Sequence, residues 1–96
     1  MDKSEYIRRG ETLFYNLLRR QPLEINERIV EIKLYEELSP LDHPILVLSV
    51  YGESGKTMWS QMSTSDYSKY ELENMRAIGE YLSNWLSCPL EIKLRF

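Results

Sequence analysis

Over the first twenty positions, apolar or small residues fall at Tyr6, Gly10, Leu13, Phe14, Leu17 and Leu18. Steps of three and four place them on one face of a helix that would run from Lys3 to Arg20 and stop before Pro22. Gly10 sits inside that face, where glycine costs about 1 kcal/mol relative to alanine. Either another backbone packs closely there or the glycine is a chance substitution. Between Leu23 and Leu38 the period changes from four to two: Val30, Ile32 and Leu34 alternate with Glu31, Lys33 and Glu36, as in a half-buried strand. Leu23 and Ile25 have the opposite parity. A bulge near Asn26 and Glu27, or a turn separating a short lead-in from the strand proper, would account for the change, and the turn is the preferred reading.

The stretch Ser39-Pro40-Leu41-Asp42-His43-Pro44 is a loop, and Ile45 to Tyr51 is a near-continuous apolar run rich in β-branched residues. Such a run predicts a central strand covered on both faces. Gly52 to Gly55 turns the chain into a return strand from Thr57 to Met62. Ser68 and Glu71 have capping-box spacing, and Leu72, Met75, Ile78, Gly79, Leu82, Trp85 and Leu86 trace one face of a second helix that Pro89 ends. Leu90, Ile92, Leu94 and Phe96 then alternate with Glu91, Lys93 and Arg95 as a last strand. The pattern predicts a single α+β domain over residues 1–96 in the order α-β-β-β-α-β, with a mainly antiparallel sheet and both amphipathic helices on one of its faces.

Composition narrows the functional classes. Among 96 residues, 43% hydrophobic and 28% charged is a folding composition rather than a disordered one. The net charge of −3 gives no general attraction to polyphosphate or anionic membrane. The charge is uneven, because the first twenty residues hold five basic and three acidic side chains and so carry +2. Arg8 with Arg19, and Arg9 with Arg20, are each eleven residues apart, almost a whole number of helical turns, so the four form a candidate basic stripe. Cys88 is the only cysteine, and no Cys/His spacing suits zinc, which favours a reducing, cytoplasmic setting without metal or cofactor. The N-terminal residues have no apolar core resembling a secretory signal, and no run approaches a membrane span.

Gly52-Glu53-Ser54-Gly55-Lys56-Thr57 resembles the second half of the phosphate-binding loop of P-loop nucleotide hydrolases. That motif needs a glycine where this chain has Val50, and a helix where Met58 to Met62 reads as strand, so a hairpin turn is expected instead. His43 has no sequence neighbour suited to a triad or metal site, and Cys88 has no nearby cation to activate it. No catalytic residue is expected. In element order the α-β-β-β-α portion resembles the double-stranded-RNA-binding domain. That family carries a lysine cluster at the start of its second helix, whereas Ser65 to Glu71 holds one lysine and two acids, so nucleic acid is disfavoured as a partner. Aromatic residues are the remaining signal. Tyr51 and Trp59, expected across a hairpin, and Tyr67 at the second helix entrance are candidate contacts for a protein partner, which could be a second copy of this chain.

Overall fold

A computed structural model describes residues 2–94, in the order α1 (Lys3–Leu18), β1 (Ile29–Leu38), β2 (Pro44–Gly52), β3 (Thr57–Met62), α2 (Lys69–Leu86) and β4 (Leu90–Lys93). Arg95 and Phe96, expected in the last strand, lie outside the described residues. Both helices start at capping side chains. Asp2 Oδ1 accepts from the Glu5 N–H at 2.9 Å, and Ser68 Oγ from the Glu71 N–H at 3.1 Å. At the far end of α2, Ser87 takes a left-handed conformation (φ 52°), and the Cys88 N–H returns to the Ser83 carbonyl.

The sheet order is β3-β2-β1-β4, antiparallel at β3/β2 and β2/β1 and parallel at β1/β4. α2 carries the chain from one edge strand across the sheet to the other, which is why β4 enters alongside β1 in the same direction. Leu23 and Ile25 precede β1 in irregular chain, as the turn reading requires, and a separate irregularity lies between Ile29 and Glu31.

Register puts Ile32, Val50 and Trp59 in one cross-strand row and Leu34, Leu48 and Gln61 in the next. These rows face the helices, and Ile32, Leu34, Leu46, Leu48 and Val50 are fully buried there with Ile78 and Leu82 of α2. α2 lies directly on the sheet, whereas α1 packs against α2 and reaches the strands through side chains. The two helices run parallel: Tyr6 meets Glu73, Gly10 meets Ala77, and Phe14 meets Tyr81. A Cβ on Gly10 would stand 1.9 Å from the Ala77 carbonyl oxygen, so close backbone packing is the reason for this glycine.

Phe14, 1% exposed, carries α1 onto the sheet by meeting Trp59 edge-on at 5.3 Å. The Trp59 indole donates to the Gln21 carbonyl (3.2 Å), and Gln21 Nε2 donates to the Ser60 carbonyl (2.6 Å). The chain leaving α1 is thereby fastened along the outer edge of β3. β2 is interior to the sheet as expected, but among the described residues no second layer covers its other face. Val47 and Ser49, 5% and 2% exposed, are buried on that side by their cross-strand neighbours.

Candidate functional site

Because both helices occupy one side, the alternate residues of every strand form an open face. Strand parity and register place Glu31, Lys33, Tyr35 and Glu37 of β1 there with Ile45, Val47, Ser49 and Tyr51 of β2, Ser60 and Met62 of β3, and Glu91 and Lys93 of β4. The centre is aromatic. Tyr35 and Tyr51 are half-buried. Burial, with lesser help from Tyr51, raises the Tyr35 pKa. The Lys33 ammonium stands 5.7 Å from the centre of the Tyr51 ring.

Charge borders this centre on the β1/β4 flank in alternating sign. Lys33 meets Glu31 at 3.1 Å and Lys93 meets Glu91 at 3.0 Å, each pair along one strand. The Glu31 hydrogen bond and charge raise the Lys33 pKa, so this side chain remains cationic across the physiological range. Apolar and aromatic groups bordered by exposed ion pairs on one flank resemble part of the anatomy of a docking surface.

The structure separates the expected contact residues. Tyr51 lies on the open face. Trp59 does not: it pairs with Val50, and the register shifts before Tyr51, which pairs with Thr57, so the two aromatic rings emerge on opposite sides of the sheet. At 2% exposure Trp59 is part of the core and cannot serve as a surface contact. Tyr67 is half-buried against the core, and its hydroxyl donates to Glu36 at 3.1 Å; burial and this bond push its pKa up to about 12.

The basic stripe is also divided. Arg9 turns toward α2, where it donates to Asn74 and stacks over the Tyr70 ring at 5.4 Å, while Arg8 and Arg19 remain exposed. Arg20 follows the helix and lines a groove between α1, α2 and β3. Four guanidinium groups therefore do not present one phosphate-contacting row.

Gly52 to Thr57 is a hairpin turn, with Gly55 at φ 87° and Thr57 already in β3. Its donors are occupied, because Glu27 Oε1 accepts from the Ser54 N–H (2.9 Å) and hydroxyl (2.7 Å). A carboxylate of the chain itself stands where a phosphate-binding loop would hold its ligand. His43 acquires a partner distant in sequence, Asp66, at 2.8 Å, with both side chains more than half exposed. Cys88 is buried and burial raises its pKa, which suppresses thiolate reactivity. Among the described residues no three His, Cys, Asp or Glu side chains converge as metal ligands, and no helix is long and apolar enough to cross a membrane. Comparison with protein families, curated proteins and solved structures finds no match.

Glu71 ties the entry of α2 to the preceding loop. Hydrogen bonds from the Thr64 hydroxyl (2.6 Å) and N–H (3.1 Å) hold its pKa below the usual carboxylate value. A depressed folded-state pKa contributes stability above the unfolded-state value and loses it as pH falls through the folded one. The urea midpoint should therefore drop as the pH is lowered below the ordinary carboxylate value, and Glu71→Gln should flatten that drop. An unchanged slope in the variant would remove Glu71 from the acid response.

Proposed function

We propose that this chain is a small non-enzymatic binding protein whose open sheet face docks on a protein partner. The observation that carries this reading is the one-sided placement of the helices, which among the described residues leaves Tyr35, Tyr51, Ile45 and Met62 without a covering layer, beside the paired charges of the β1/β4 flank. Tyrosine with a neighbouring cation is the type of group that concentrates binding energy at such surfaces. The unpaired, buried Cys88 is compatible with work in the reducing cytoplasm. Nucleic-acid binding through α1 is the weaker alternative, because Arg9 is engaged by α2.

Immobilised wild-type protein and a Lys33→Ala/Tyr51→Ala variant, matched for thermal stability, should be compared for capture from native extract. At least one protein should be held about tenfold more weakly by the variant, the loss expected for removing about 1.4 kcal/mol of contact. An Arg8→Ala/Arg19→Ala control should leave its capture unchanged. Identical captures by all three would refute docking through this face. A capture that depends only on Arg8 and Arg19, with steep salt dependence, would favour the nucleic-acid alternative. Sedimentation of the pure chain tests whether the partner is a second copy.

A further inference from the structure

The groove at the junction of α1, α2 and β3 adjoins the open sheet face at Met62 and has a volume of about 310 Å³. That lies at the lower end of ligand-site volumes. Its floor is apolar, made by Leu13 and Leu17 of α1 with Met75 and Ile78 of α2. Its walls are polar, with Asn16, Asn74, Gln61 and Arg20 among the side chains that line them.

The groove is lined by one cation, Arg20, and one anion, Glu71. Both Glu71 carboxylate oxygens are held by Thr64, and its position in the first turn of α2 lets the helix dipole offset its charge. Asn74 Oδ1 accepts from Arg9, which leaves the Asn74 amide N–H groups as that residue's contribution. No ion pair or hydrogen bond engages the Arg20 side chain among the described residues. The groove therefore offers a cation and amide donors above an apolar floor.

The β3 wall supplies a further donor. Ser63 N–H bonds to the Leu46 carbonyl, so alternation along the antiparallel ladder turns the peptide groups of Ser60 and Met62 outward. Side-chain amides already cap both outward carbonyls: Gln21 donates to that of Ser60 and Gln61 to that of Met62. Ser60 does not line the groove, so the outward backbone group left there is the Met62 N–H. An occupant must bring acceptors for this N–H and the Asn74 amide, an apolar side chain for the floor and a negative charge for Arg20. A peptide has a carbonyl at every residue, whereas a simple fatty acid concentrates its acceptors at one end.

We propose that this groove binds an extended peptide segment in which an apolar residue lies beside an acidic one, the acid pairing with Arg20. This site shares Met62 with the open sheet face but differs from it in every other residue the proposal uses, so either assignment can stand without the other.

The test is selection of displayed random peptides on the full-length chain and on an Arg20→Glu variant whose unfolding midpoint matches wild type. Wild type should enrich sequences with an acidic residue next to a leucine-like one. Arg20→Glu should weaken the enriched peptides about tenfold, as expected for loss of one charge-assisted contact, and should itself enrich basic residues at that place. Amide and methyl NMR shifts caused by a selected synthetic peptide should centre on Leu17, Asn74 and Ile78. Three results would overturn the proposal: no enrichment, enriched peptides indifferent to Arg20→Glu, or shifts centred on Tyr35 and Tyr51. The last would favour the sheet face as the peptide site. Equal competition by octanoate would show that any small apolar acid suffices and would likewise overturn the peptide assignment.

Discussion

Gly10→Ala is expected to lower stability by on the order of 3 kcal/mol, even though alanine is the better helix former by about 1 kcal/mol. The added methyl would stand 1.9 Å from the Ala77 carbonyl oxygen and 2.9 Å from Tyr81 Cβ. The first obstacle is helix backbone and cannot rotate away, so α1 and α2 must separate and loosen the Phe14 contacts beyond. Gly52 makes a useful contrast. A methyl there meets the Glu27 carboxylate, also at 1.9 Å, but a side chain can swing aside at the cost of its Ser54 hydrogen bonds. Gly52→Ala should therefore cost about 1 kcal/mol. Urea unfolding followed by far-UV circular dichroism measures both. A Gly10→Ala midpoint at or above wild type would mean that the helices do not approach as closely as described.

Phe14→Ala should cost about 3 to 5 kcal/mol, the range for emptying a large buried aromatic site. Phe14 is the side chain through which α1 is joined to both the sheet and α2. Its ring lies 5.3 Å from Trp59, 5.8 Å from Tyr81 and 6.3 Å from Trp85. With α1 resting mainly on α2 rather than on the strands, no other contact of α1 reaches so far into the core. The truncation should also shift Trp59 fluorescence to the red as water reaches an indole now 2% exposed. Loss of stability without that shift would place the damage between the helices alone. A cost below about 1 kcal/mol would contradict the joining role altogether.

Much of the candidate interaction surface depended on parity that no single segment reveals. Ser49 and Tyr51 share one side of β2, while Leu46, Leu48 and Val50 share the other. That contrast already marks the Tyr51 side as the less apolar one. For Trp59 the corresponding signal was missing, because its side of the sheet depends on a register shift next to the turn, and one residue of slip exchanges the faces of a strand. The groove polar residues Asn16, Gln61 and Asn74 have no sequence signature at all, since amides on the flank of a helix or strand look the same whether solvated or gathered around a cavity.

Local chemistry alone determined the element order, the Ser68 cap of α2, the end of each helix near a proline and the hairpin at Gly52. Each of these depends on preferences within a few neighbouring residues. Only the tertiary structure decided that the two helices run parallel with Gly10 against Ala77, that Arg9 turns inward, and that His43 finds Asp66. Periodicity states which side of an element avoids water. Which other element covers that side is a matter of long-range register and crossover, and those are settled by the packing of the whole chain.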